Sequence, residues 1–125
     1  MSYVKRAVLD NFKNNLKPNK VLVLLGARRV GKTQLIKKYL ETVEEKVLQL
    51  NGEDLNDARL LEERTLENYT RLFQNIGLLV IDEAQAVQDI GLILKFIVDH
   101  IEGIKVIATG SSMFDLANKL GEPLV

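Results

Sequence analysis

Between the apolar run Val21-Leu22-Val23-Leu24-Leu25 and a stretch in which Leu35, Ile36, Tyr39 and Leu40 recur at helical spacing lies the octapeptide Gly26-Ala27-Arg28-Arg29-Val30-Gly31-Lys32-Thr33. A glycine-bounded loop in that position joins a buried strand to a helix, and its pattern is G-x-x-x-x-G-K-S/T. The glycines let backbone N–H groups curl inward around phosphates, Lys32 reaches the β- and γ-phosphates, and the Thr33 hydroxyl is placed to ligate Mg²⁺. The N-terminus of the following helix adds its dipole to the same anion site. Gly26, Ala27, Arg28, Arg29, Val30, Gly31, Lys32, Thr33 and the adjoining Gln34 are therefore the candidate nucleotide-binding residues. The spacing points to a nucleotide, with Mg²⁺, as ligand.

Composition bounds the remainder. The 125 residues suit one domain, and 46% apolar with 27% charged residues is ordinary for a globular protein. Lys plus Arg and Asp plus Glu both number 17, so no global field draws the chain to nucleic acid or to an anionic membrane. Without cysteine there is neither a disulfide framework nor a thiolate metal site. No N-terminal segment resembles a signal peptide, which makes a cytoplasmic location the default expectation. The apolar run from Ile90 to Ile101 is too short to span a bilayer and carries Lys95, Asp99 and His100, so it reads as a buried helix.

Val4, Val8, Phe12 and Leu16 form a helical stripe ended by Lys17-Pro18-Asn19-Lys20. Strands are expected at Lys20 to Leu25, Lys46 to Leu50, Leu78 to Ile81 and Lys105 to Thr109, with a helix from Lys32 to Glu41. Between Glu53 and Asn75 the pattern gives two short helices covering the sheet, the second capped by Thr65 and presenting Leu66, Tyr69, Leu72 and Phe73 on one face. A further helix is expected from Met113 to Leu120. Strands alternating with helices imply a parallel sheet with ligands at the carboxyl ends of its strands.

Three loops then converge on one nucleotide: Gly26 to Thr33, Asp82-Glu83, and Ser111-Ser112. The four apolar residues before Asp82 mark a buried strand emerging at an active site. Asp82 is expected to hold Mg²⁺ through its water shell and Glu83, turned away from the metal, to polarise the attacking water; Lys32 and Glu83 are the catalytic candidates. Ser111 or Ser112 is either a γ-phosphate contact or the N-cap of the Met113 helix. Gln85 lies within reach of the same site, as a relay of nucleotide state or a surface residue. His100, the sole histidine, has no partner ligands and reads as structural or exposed. Of Arg28 and Arg29, one is expected to meet phosphate or a neighbouring subunit and the other solvent.

Gly26 to Thr33, Leu79-Val80-Ile81-Asp82-Glu83-Ala84-Gln85 and Thr109-Gly110-Ser111-Ser112-Met113 together resemble the N-terminal ATPase domain of a large group of archaeal and bacterial AAA-type ATPases. That group reads G-x-R-x-x-G-K-T, D-E-x-Q and T-G-S-S, which gives Arg28, Gln85, Ser111 and Ser112 added weight. The resemblance implies a three-layer α/β P-loop NTPase of the additional-strand class, with a parallel sheet of order 5-1-4-3-2, Asp82 on strand three and a separate C-terminal domain. Because the sequence stops at Gly121-Glu122-Pro123-Leu124-Val125, where such proteins continue, we expect an N-terminal fragment that lacks the fifth strand and any downstream arginine. Such a piece is expected to bind ATP with little turnover and to self-associate through the edge of strand one or by swapped segments. The intact protein would hydrolyse ATP to drive a conformational change. The alternative is a nucleotide-dependent regulatory switch with little turnover. A small-molecule kinase is disfavoured for want of an arginine-rich lid, and a nucleic-acid motor for want of a strand-binding surface.

Overall fold

Side chains on a strand alternate between two faces, and a parallel sheet buried on both sides therefore reads as an unbroken apolar run. Four such runs form strands: β1 (Lys20–Leu25), β2 (Val47–Asn51), β3 (Leu78–Asp82) and β4 (Lys105–Gly110). They make one all-parallel sheet of order β1-β4-β3-β2. The computed structural model describes residues 13–25 and 36–110. The phosphate-loop octapeptide, Gln34, Ser111, Ser112, the helix expected from Met113, and most of the N-terminal stripe lie outside the described residues.

Each face of the sheet carries its own core. On one, Val23, Leu50, Leu79, Ile81, Val106 and Ala108 pack beneath α1 (Leu55–Glu62), α2 (Leu66–Leu72) and α3 (Ile90–His100). On the other, Leu22, Leu24, Leu78, Val80 and Ile107 meet Leu16, Ile36 and Tyr39, of which Ile36 and Tyr39 belong to the helical residues 36–40. The result is the three-layer α/β arrangement. Its sheet reproduces the 1-4-3-2 portion of the expected order, and no fifth strand occurs among the described residues.

Strand boundaries depart from the sequence reading by one residue, because ladder register rather than hydropathy ends a strand. Asn51 pairs with Asp82, and Leu25 with Gly110, so each of β2, β3 and β4 runs one residue further than its apolar run. Thr65 caps α2 as expected, its hydroxyl accepting the Asn68 N–H at 3.0 Å. Tyr69 and Phe73 are buried and Leu72 partly so, but Leu66 is 49% exposed. Side chains lean toward a helix N-terminus, and that of the first residue leans past the helix end.

Asn19 fixes how β1 enters the sheet. Its backbone sits in the left-handed region at φ 59°. Its amide donates to the carbonyls of Val98 and Ile101, both at 2.8 Å, and its Oδ1 accepts from Gly103 N at 2.8 Å. These bonds satisfy carbonyls that the end of α3 leaves without helical partners. The residue before β1 is thereby tied to the turn before β4, one step ahead of the Lys20–Lys105 pair.

Candidate functional site

The sheet order places β4 between β1, which delivers the chain to Gly26, and β3, which carries the acids. The carboxyl ends of these three strands finish nearly level: Leu24 pairs with Thr109, Leu25 with Gly110, and Ile81 with Ala108. At ordinary strand spacing the ends of β1 and β3 therefore stand about 10 Å apart, two spacings, with β4 in the gap.

Asp82 is the last residue of β3 and is exposed, while Glu83 is buried at 7%. The backbone separates them. Glu83 adopts φ 49° and ψ 49°, the left-handed conformation, before the 3-10 turn Ala84–Ala86. A non-glycine residue held there costs about 1–3 kcal/mol and persists only when its surroundings impose it. They do so from three sides. Thr109, 1% exposed, accepts the Glu83 N–H on its hydroxyl at 3.3 Å and donates that hydroxyl to Asp82 Oδ1 at 2.5 Å. Gly52 N donates to the Asp82 carbonyl at 2.7 Å, just past the end of β2. Gln85 Nε2 donates to Glu83 Oε1 at 2.9 Å.

The two acids therefore differ in kind. Asp82 presents a carboxylate to solvent at the carboxyl end of an inner strand, whereas Glu83 is drawn inward and its carboxylate is oriented by an amide donor. Gln85 is no surface residue: it is partly buried, and its Oε1 has no hydrogen-bond partner among the described residues. Because a carboxylate only accepts, the amide nitrogen must face Glu83, which commits the carbonyl to its sealed side.

His100 lies at the end of α3, exposed, stacked on Phe96 with ring centroids 4.1 Å apart. That matches the expectation of a structural or exposed residue. Among the described residues no group of three or more His, Cys, Asp or Glu could hold a metal ion. No helix among them is long and apolar enough to cross a membrane.

Two residues at this centre were missed by the sequence reading. Thr109 enters it only as the end of a strand and within the T-G-S-S pattern, and Gly52 does not enter it. A signal for Thr109 exists: aligning the ends of the third and fourth apolar runs puts a hydroxyl beside Asp82, provided the two strands are neighbours.

A parallel α/β sheet with a strand between the acid-bearing strand and the strand leading to the glycine loop defines a P-loop NTPase-like domain. Residues 18–125 match the family described as the AAA domain, and the chain belongs to that family. It is an AAA-type, ATPase-like domain, a class that binds nucleotide. No curated protein matches the sequence.

Proposed function

We propose that this domain binds ATP with Mg²⁺ and, in the intact protein, hydrolyses it, the cycle driving a conformational change. The observation that carries the reading is the pairing of unlike acids at one strand end, Asp82 exposed and Glu83 buried, across β4 from the strand that leads into Gly26. The donor set suits the metal. Mg²⁺ takes hard oxygen ligands and is usually held by one or two protein groups plus substrate phosphates, so it does not need a cluster of acids.

In this reading Gly26, Ala27, Arg28, Arg29, Val30, Gly31, Lys32, Thr33 and Gln34 take the phosphates, and Thr33 and Asp82 hold the metal. Mg²⁺, when bound, neutralises charge on the phosphate oxygens. Lys32 places a further positive charge on the β- and γ-phosphates. Glu83 accepts the proton of the attacking water at its carboxylate, held in place by Gln85. Ser111 or Ser112 contacts the γ-phosphate and passes the state of the nucleotide onward.

Calorimetric titration of ATP into the wild-type chain and into Lys32→Ala, with Mg²⁺ and with a chelator, tests the reading. Wild type should bind more tightly with Mg²⁺, and Lys32→Ala should lose most of the affinity. Equal binding by both proteins would refute the assignment of the phosphate site.

A further inference from the structure

We propose that Thr109 is a positioning residue for the metal site, one hydroxyl that orients the carboxylate of Asp82 and secures the backbone of Glu83 together. The proposal rests on the reading that Asp82 holds Mg²⁺.

A threonine hydroxyl has a single proton, so its two contacts here are not interchangeable. The proton goes to Asp82 Oδ1 at 2.5 Å, and the oxygen accepts the Glu83 N–H at 3.3 Å. The first is a hydrogen bond to an ionised acceptor, the shorter and stronger kind. It matters because Asp82 is exposed at the end of its strand, where burial does not select one orientation for the carboxylate. With Oδ1 engaged from the β4 side, the rotation of the group is restricted and its other oxygen is offered to a ligand.

The second contact holds the peptide that turns Glu83 away from Asp82. Thr109 itself is well placed to impose geometry on both. It is 1% exposed, lies on the strand between β1 and β3, and is β-branched, which limits its side-chain torsion. Partners of this kind, one step removed from a metal, typically account for about 10–100-fold in metal affinity.

The test uses paired substitutions. Thr109→Val keeps shape and volume but removes the hydroxyl; Thr109→Ser keeps the hydroxyl and removes a methyl group. ATP affinity is measured by calorimetry across a Mg²⁺ series and in chelator, alongside melting of the nucleotide-free proteins. Thr109→Val should weaken the Mg²⁺-dependent part of the affinity about 10–100-fold and leave the chelator value unchanged. Thr109→Ser should restore the response to within a few fold of wild type. In the Asp82→Asn background, Thr109→Val should add no further loss, because it acts through that carboxylate.

A wild-type Mg²⁺ response in Thr109→Val, with Asp82→Asn impaired, overturns the inference alone. So does a loss in Thr109→Ser equal to that in Thr109→Val, which would mark a packing role. An ATP affinity indifferent to Mg²⁺ in the wild-type chain overturns the metal reading and this inference with it. Should Thr109→Val fail to fold, Thr109→Ala bears the same expectation and the same refutation.

Discussion

Gly52 lies so close to Glu83 that a Cβ built on it would stand 2.3 Å from the Glu83 carbonyl oxygen. The same Cβ would be 3.2 Å from the carbonyl oxygen of Asp82. Both obstacles are backbone, so no side-chain rotation relieves them. Only glycine lets the end of β2 approach the acid turn closely enough for Gly52 N to bond Asp82 O at 2.7 Å. The loop after β2 is thereby fastened to the residues that give the candidate site its chemistry.

Gly52→Ala should accordingly destabilise the domain by about 1–3 kcal/mol, the usual effect of overpacking a tight site. It should also weaken Mg²⁺-dependent ATP binding, since the strain falls on the Asp82–Glu83 peptides. Denaturant unfolding and calorimetric titration read the two effects. Unchanged stability would mean that the β2 end can move away at little cost.

The unlike settings of the two acids predict unlike phenotypes. Glu83→Gln should keep ATP bound and, in the intact protein, lower single-turnover hydrolysis at least about a hundredfold, as loss of a positioned base does. Asp82→Asn should instead raise the Mg²⁺ concentration needed for binding. Matching phenotypes in both assays would contradict the division of labour.

Much of this was legible in the sequence, and the reason is specific. Leu78-Leu79-Val80-Ile81 is buried on both faces, four of the five residues of β3, so hydropathy alone locates the strand and hands Asp82 and Glu83 to its carboxyl end. What hydropathy does not encode is register. The contacts of Thr109 with Asp82 and Glu83 span 27 and 26 residues, and those of Asn19 with Ile101 and Gly103 span 82 and 84. Each depends on which strands and turns become neighbours. Gly52 under Glu83 is of the same type, a close approach set by the pairing of Asn51 with Asp82. The left-handed turn at Glu83 is likewise imposed by tertiary partners, since nothing in Asp82-Glu83-Ala84 favours it.

Gln85 offers a separation of stability from function. Replacing it by Met removes the donor at 2.9 Å from Glu83 Oε1, a loss, and also removes a buried carbonyl oxygen without a partner among the described residues, a gain. An unsatisfied buried acceptor costs about 1–3 kcal/mol, comparable with a hydrogen bond to a charged group. Gln85→Met should therefore change unfolding free energy by less than about 1 kcal/mol. Hydrolysis by the intact protein should nevertheless fall about tenfold or more, because small displacements of a reacting group can cost up to about a hundredfold. A fall in hydrolysis that merely tracks a fall in stability would remove Gln85 from the site.

On the opposite side of the molecule's chemistry, Tyr69 predicts the alkaline limit of the fold. It is fully buried, stacked on Phe73 with centroids 5.8 Å apart and tilted against Phe96 at 5.6 Å. Its hydroxyl donates to the carbonyl of Leu61 at 2.5 Å, joining α2 to α1. Burial raises its pKa from the ordinary 10.0 to about 12, opposed by Arg64 and reinforced by Glu63. The folded state thus holds the phenolic proton more tightly than the unfolded chain does. Below pH 10 Tyr69 is neutral in both states and its contribution to stability is fully present. As pH rises from 10 toward about 12, the unfolded chain ionises first and stability falls. Tyr69→Phe should lose about 1 kcal/mol at neutral pH with the hydrogen bond to Leu61, yet decline less steeply above pH 10. Some slope should remain, because burial also raises the pKa of Tyr39. Urea unfolding of both proteins from pH 7 to 11 makes the comparison, and parallel alkaline slopes would rule out Tyr69 as their source.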